Sequence, residues 1–135
     1  MKVQISKTPN IYIYLSKSNA YLGKITVEDC TSFYENWVKN EKGFVTNEIT
    51  ITVDNIDLDM IQILKNRITD ICCVFNTESG KEIARWYKDC DLKKFNYSLN
   101  DYNDLIRTHF LIEFKAEDSY EGIIPLEHKG DDKNE

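Results

Sequence analysis

Four cysteines and two histidines are the side chains of this sequence that could support metal binding, redox chemistry or nucleophilic catalysis. They are Cys30, Cys72, Cys73, Cys90, His109 and His128. No two cysteines have the two-residue gap that lets one turn present two thiolates to a zinc ion. A cysteine–histidine nucleophile pair would require His109, and no local motif marks such a site. We therefore predict no metal ligand, no cofactor and no catalytic residue in this chain.

The adjacent thiols Cys72 and Cys73 lie in the apolar run DICCVFN, residues 70–76. Neighbouring residues of a strand point to opposite faces of a sheet, so these two thiols cannot readily share an ion or a disulfide bond. Free cysteine packs as a small hydrophobic residue and is among the most buried residue types. All four thiols are therefore predicted to be core residues.

Acid–base catalysis has two candidates, and each has a simpler explanation. The acids of DNIDLD, residues 54–59, precede a helical pattern, where Asp57 suits an N-cap and Asp59 suits the positive end of the helix dipole. His109 lies beside Arg107 and Glu113 on the polar face of a predicted strand. It is either a proton-transfer group or an ordinary surface histidine. The five glycines include no Gly-x-Gly, so no phosphate-binding loop and no small-molecule substrate are indicated.

Length and charge narrow the possible partners. The 135 residues predict one globular domain over residues 1–125 and a solvated acidic tail over residues 126–135. Acidic residues outnumber Lys and Arg by 23 to 17, so nucleic acid is not an expected partner.

The longest apolar runs have five residues, too short to cross a membrane, and no secretory signal opens the sequence. We therefore expect a cytoplasmic protein with reduced thiols.

Alternation of apolar and polar residues predicts several strands. It covers residues 47–54, where Ile49, Ile51 and Val53 share a face, and residues 105–116. The runs IYIYL and ICCVF are apolar on both faces, which predicts strands covered on both sides. A turn at Gly80 joins ICCVF to a hairpin partner, whose two predicted faces are Ala84, Trp86 and Cys90 against Ile83, Arg85 and Tyr87. Residues 93–101 either extend this partner after a bulge or begin a loop.

Two segments have helical patterns. Leu58, Ile61 and Leu64 predict a helix that begins after Asp57. Residues 26–42 have an apolar stripe at helical spacing that ends before Gly43, although their Thr, Phe, Tyr and Val content also suits a strand. The predicted fold class is α+β: a mainly antiparallel β-sheet or small β-sandwich with one or two helices packed on one face.

The eight tyrosines, six phenylalanines and two tryptophans are more than one small core can hold. Tyr and Trp are enriched at protein–protein contacts, because the ring is buried and the polar tip forms hydrogen bonds. The alternative is ordinary surface tyrosine, which strands tolerate well. The predicted protein-interface residues are Tyr12, Tyr14, Trp37, Trp86 and Tyr87.

Residues 48–115 carry a likeness of layout to a known family. EITITVDNIDLDMIQILKNR is a strand leading into a short helix headed by acids, ICCVFNTESGKEIARWY is a hairpin, and LIRTHFLIEFKAED is a closing strand. This order resembles the β-domain of bacteriophage tail-tube, tail-hub and related virion proteins. The resemblance implies rings of identical subunits in which edge strands join across neighbours, without catalysis.

The first functional hypothesis is a non-enzymatic structural or assembly protein of a phage virion, in the tail or connector. It would act through contacts with copies of itself or with neighbouring virion proteins, in the host cytosol at assembly and then in the virion. Two alternatives belong to other classes. One is a small acidic inhibitor, an immunity or anti-defence protein, whose acids pair with a basic enzyme surface. The other is a small enzyme that uses His109.

Overall fold

The computed structural model describes residues 8–102 and 105–128, and for residues 98–102 and 105–108 it describes the backbone alone. These residues form eight strands with one nine-residue helix between the fourth and fifth. In chain order they are β1 (Asn10–Leu15), β2 (Tyr21–Ile25), β3 (Cys30–Lys39), β4 (Val45–Val53), α1 (Leu58–Asn66), β5 (Thr69–Asn76), β6 (Glu82–Tyr102), β7 (Leu105–Ala116) and β8 (Asp118–Gly122). The α+β prediction is therefore wrong, because the described chain is nearly all β.

The strands form two antiparallel sheets that share β6. Sheet I has the order β2-β1-β5-β6-β8, and sheet II has the order β3-β4-β7-β6. Their inner faces pack together, with the ring of Phe33 on β3 lying 5.3 Å from the ring of Phe75 on β5. Residues of both sheets therefore belong to one main hydrophobic core.

The long strand β6 changes from one sheet to the other at Asp89, whose φ of 52° is in the left-handed region. Before this bend β6 pairs with β5 and β8, and from Asp91 onward it pairs with β7. Asp70, which is buried, accepts hydrogen bonds from the Asp89 amide at 3.0 Å and from the Lys88 ammonium at 2.5 Å. The bend also places Cys90 in the same core as Tyr87, whereas unbroken alternation predicted opposite faces.

Most of the predicted strands are confirmed. Ile49, Ile51 and Val53 are fully buried on the inner face of β4. The strands β1 and β5 are buried on both faces, because their other sides lie in a second hydrophobic cluster. The predicted hairpin turn has Gly80 at a φ of 84°, and β6 continues past a register shift between Leu92 and Lys94. Residues 93–101 therefore extend β6, which confirms the first of the two predictions for this segment, and they do not begin a loop.

Residues 30–39 form a strand where a helix was one of the two predictions for residues 26–42. β3 pairs with β4 from Cys30 to Lys39, and its side chains alternate between the two faces of sheet II. Gly43, with a φ of 86°, lies in the turn between β3 and β4 and does not end a helix. Pairing with β4 satisfies the backbone groups along one edge of this strand, and this non-local contact overrides a helical spacing of apolar residues.

The predicted helix is confirmed as α1. The side chain of Asp57 accepts a hydrogen bond from the Asp59 amide at 2.9 Å, which makes it the N-cap. Met60, Ile61 and Leu64 are buried against the main core. Among the described residues, no helix combines the length and apolar character needed to cross a membrane.

The four cysteines are free thiols buried in the core, with Cys72 and Cys73 in different clusters. Burial raises the pKa of Cys72 to about 12 and that of Cys30 to about 11, because a thiolate would lose its hydration. The pKa values of Cys73 and Cys90 are raised for the same reason.

The raised thiol pKa values predict alkaline unfolding. The folded state keeps these protons above pH 9, where the unfolded chain loses them, so stability falls as pH rises. The loss begins near the ordinary thiol pKa of 9.0 and continues through about 11 to 12 for Cys30 and Cys72. We expect the free energy of unfolding to fall by about 1.4 kcal/mol per pH unit for each thiol that titrates only when unfolded. Urea unfolding between pH 8 and 11 measures this, and a flat profile would contradict it.

The bend at Asp89 predicts a second effect. Replacement by a β-branched residue is strained at this φ, so Asp89→Val should be less stable than Asp89→Asn by about 1–2 kcal/mol. Glycine adopts this φ freely, so Asp89→Gly introduces no strain. The stability of Asp89→Gly therefore measures the effect of losing the side-chain hydrogen bond from Ser16. Denaturant midpoints of the three variants give the comparison, and equal stability of the Val and Asn variants would rule out strain at the bend.

Candidate assembly surface

Three of the predicted interface residues lie on the outer face of sheet I, beneath the chain's own last described segment. Tyr12 is fully buried, Tyr14 is nearly so, and Trp86 is half-buried. We call residues 123–128, which lie against this face, the C-terminal strap. The Trp86 indole N–H donates to the Ile123 carbonyl at 2.9 Å, and Ile124 packs against the cluster.

Side-chain hydrogen bonds hold the end of the C-terminal strap. The Tyr12 hydroxyl lies 2.6 Å from His128 Nδ1, and His128 Nε2 lies 2.5 Å from a Glu82 carboxylate oxygen. The Tyr14 hydroxyl donates to the Glu127 carboxylate. His128 is buried, although the sequence predicted a solvated tail from residue 126; residues 129–135 lie outside the described residues.

Tyr87 is fully buried between the sheets, where its hydroxyl donates to Glu35 at 3.0 Å. Glu35 also accepts two bonds from Arg85, from Nε at 3.0 Å and from Nη2 at 3.2 Å. Arg85 Nη2 also donates to the Ser119 hydroxyl at 2.9 Å, which accepts from the Asn47 amide. This inter-sheet cluster of Glu35, Asn47, Arg85, Tyr87 and Ser119 joins β3 and β4 of sheet II to β6 and β8 of sheet I.

The inter-sheet cluster places a charged guanidinium and a neutral phenol around the Glu35 carboxyl group. Burial works against the charge on Arg85, but the hydrogen bonds and the charge of Glu35 hold the pKa of the guanidinium above its ordinary value. Burial, with the neighbouring charge of Glu35, raises the pKa of Tyr87, which stays a neutral donor. Every donor that faces Glu35 therefore keeps its proton at neutral pH.

Trp37 is the predicted interface residue that lies exposed, with 64% of its surface open to solvent. Its indole N–H donates to Glu35 at 3.3 Å, so it lies at the outer margin of the inter-sheet cluster. Tyr34, on the opposite face of β3, is similarly exposed at 61%. Among the described residues, β4 is the one strand neighbour of β3. The other edge of β3 has no strand beside it in this part of the chain.

Sheet II has a second open edge. From Asp91 to Tyr97, β6 has β7 as its one strand neighbour in the described chain, because the ladder with β5 ends at Cys90. The register places Ser32 on β3 and Asn96 on β6 in one cross-strand row through Thr52 and Leu111. Since three antiparallel pairings separate them, β3 and β6 run in opposite directions. Within residues 8–102 and 105–128, sheet II therefore has two edges without a strand neighbour, which run in opposite directions and which we call the open edges.

The chemistry candidates of the sequence lie apart from one another. His109 Nδ1 lies 2.9 Å from Asp54 on the outer face of sheet II, and both side chains reach solvent. Such a pair is a surface ion pair when the histidine is protonated. In the part of the chain that the structure describes, no three His, Cys, Asp or Glu side chains converge as metal ligands.

Comparison with known proteins gives one informative result. No protein family and no curated protein sequence matches the chain. Its fold is similar to that of the subunit in a solved structure of the SPP1 phage tail tube, with a TM-score of 0.65 and 11% identity. The similarity covers 92% of this chain and 81% of the SPP1 chain. At this identity the likeness shows a shared fold, which extends well beyond the residues 48–115 that suggested it.

Sequence reasoning missed two features of this surface. The Glu35–Arg85 pair joins strands 50 positions apart, and no local pattern reports such a contact. The open stretch of β6 begins after Cys90, which pairs with Thr69 at the start of β5, close to the bend at Asp89. One signal was present: if residues 30–39 are taken as a strand, Glu35 alternates with Tyr34 and falls on the apolar face.

The inter-sheet cluster predicts a marked difference between single and double replacement. Glu35→Ala leaves the Arg85 charge without its partner, and should lower the free energy of unfolding by about 2 kcal/mol; this is less than for a fully buried pair, because water reaches both side chains. The double variant Glu35→Met/Arg85→Met leaves no charge but removes the acceptor of the Tyr87 hydroxyl, so it should lose about 1 kcal/mol. Urea unfolding measures both, and a double variant as unstable as Glu35→Ala would contradict this account.

Proposed function

We propose that this protein is a structural subunit of a phage tail-tube-like assembly. Copies associate head to tail through the two open edges of sheet II. The observation that carries the proposal is the pair of open edges, β3 and residues 91–97 of β6, which run in opposite directions. The fold likeness to the SPP1 tail tube supports the same assignment.

The polarity of the edges allows copies to pair head to tail. When β3 of one copy lies beside β6 of the next, the pairing is antiparallel, as it is within the sheet. This contact uses two different surfaces, so each copy keeps one open edge for another neighbour. Repetition of such a heterologous contact gives a ring when the rotation closes and a filament when it does not.

The strand β3 lacks several features by which natural edge strands avoid association. Natural edge strands avoid association by being short, or by carrying proline, bulges and inward charges. β3 has ten residues without proline, and its register shift lies at one end, between Cys30 and Ser32. Its one inward carboxylate, Glu35, is neutralised by Arg85. We propose copies of the same chain as partners, the host cytosol as the place of assembly, and the virion as the destination.

Cross-linking tests the head-to-tail contact. Ser32→Cys and Asn96→Cys place exposed thiols on one cross-strand row at the two open edges, whereas the four native thiols are buried. With a short flexible bismaleimide, the double variant should give a ladder of multimers at concentrations where light scattering detects assembly. A mixture of the two single variants should stop at dimers, because each chain then has one reactive edge.

The controls separate the other geometries. Dimers from Ser32→Cys alone would mean that β3 pairs with β3 around a two-fold axis, which contradicts the head-to-tail proposal. A protein that stays monomeric at every concentration, with no cross-linked product, also contradicts it. A monomer that instead binds a basic enzyme, with affinity falling steeply as salt rises, would support the acidic inhibitor.

A further inference from the structure

We propose that Trp37 is the anchor of the contact between copies and that Glu35 is the residue that positions it. The indole packs on the inner-face side chains of β6 in the next copy. This inference rests on the proposed head-to-tail assembly and adds the residue on which its affinity depends.

Glu35 is held from several sides before any partner arrives. Its carboxylate oxygens accept hydrogen bonds from Arg85, Tyr87 and Trp37, with donor–acceptor distances between 3.0 and 3.3 Å. Arg85 and Tyr87 are donors from the opposite sheet and lie inside the sandwich. The third donor, Trp37, is the one whose ring reaches solvent. A carboxylate fixed by internal donors thus orients an exposed indole, which reduces the side-chain entropy that binding would remove.

A half-buried ion pair adds little net stability compared with apolar residues of similar volume. Glu35 and Arg85 have 16% and 28% of their side-chain surface exposed, so they are this kind of pair. The contribution of this ion pair is therefore to side-chain orientation, because it fixes the direction in which Trp37 points from the inner face of β3. Trp, Tyr and Arg are also the residues that most often dominate protein–protein contacts.

The next copy offers a matching surface. Trp37 faces the inner side of sheet II, as do Leu92, Phe95 and Tyr97 along the open stretch of β6. Leu92 and Phe95 are half-buried, and Tyr97 is exposed. When β6 of the next copy extends the sheet beyond β3, these side chains lie on the same face as Trp37, within reach of a cross-strand aromatic contact.

Charge supports the same occupant. The antiparallel arrangement brings the Lys39 end of β3 towards the Asp91 end of β6 in the next copy, because Asn36 and Asp91 lie in one cross-strand row. Lys39 is exposed, and Asp91 makes a solvent-exposed pair with Lys93 that is easily exchanged. Opposite charges at this level favour a second copy of the chain in this orientation.

The first test uses Trp37 as its own reporter. The chain has two tryptophans, so Trp86→Phe leaves Trp37 as the single tryptophan, which can be excited at wavelengths that the eight tyrosines do not absorb. Its emission should be typical of an exposed indole in the monomer, and should move to shorter wavelength, with weaker acrylamide quenching, as the protein assembles. Assembly with unchanged emission would overturn this inference and leave the proposed function intact. Absence of assembly at any concentration would overturn the proposed function itself.

The second test compares two exposed aromatic residues of the same strand. Trp37→Ala should raise the concentration at half-assembly about tenfold or more, as for a central contact residue. Tyr34→Ala, at similar exposure on the opposite face, should change it by roughly twofold or less. Both should keep the unfolding midpoint of the parent. Equal effects of the two variants on assembly would overturn the role of Trp37.

The third test addresses Glu35 as a positioning residue. In the Trp86→Phe background, Glu35→Met/Arg85→Met/Tyr87→Phe removes the ion pair together with the hydroxyl that would lose its acceptor, so the variant should keep the stability of the parent. It should nevertheless lower the fluorescence anisotropy of Trp37 and raise the half-assembly concentration about threefold to tenfold. A purely structural role would move neither quantity once stability is matched. Unchanged anisotropy and unchanged assembly in this folded variant would overturn the positioning role.

Discussion

The bend of β6 at Asp89 is the constraint on which the rest of this structure depends. One continuous strand is the ladder partner of β5 and β8 before the bend and of β7 after it. The two sheets therefore cannot slide past each other without breaking pairings of β6. The bend needs a left-handed residue and a buried carboxylate, Asp70, that accepts the Asp89 amide. It also ends the pairing with β5, which leaves the second half of β6 open on one side.

The aromatic residues divide into two groups with different physical roles. Tyr12, Tyr14 and Tyr87 are buried, and each hydroxyl has a partner in the chain, as a buried polar group requires. Tyr34, Trp37 and Tyr97 leave most of their surface in water, and all three lie on the two strands with open edges. The surplus of aromatic residues is thus divided between buried tyrosines with hydrogen-bond partners and exposed residues, three of which lie on β3 and β6.

A shared fold does not by itself give a function, since one fold supports many. The likeness to the SPP1 tail tube shows a shared fold, whereas the edges of β3 and β6 without strand neighbours in the described chain are a separate physical reason to expect assembly. Cys30, Cys72, Cys73 and Cys90 have environments that suppress the thiolate, which suits packing rather than reaction. The described surface offers backbone at two edges without a strand neighbour and several exposed rings, including that of Trp37.

The sequence by itself determined what depends on neighbouring residues. Period-two alternation identified β4 and β7, the apolar runs identified β1 and β5, and Asp57 marked the start of α1. The tertiary structure alone decided what depends on residues far apart. It made residues 30–39 a strand through pairing with β4, moved Cys90 to the inner face through the bend, and joined Glu35 to Arg85. Local spacing reports the faces of one element, whereas edges, bends and ion pairs arise from the ladders and packing between elements.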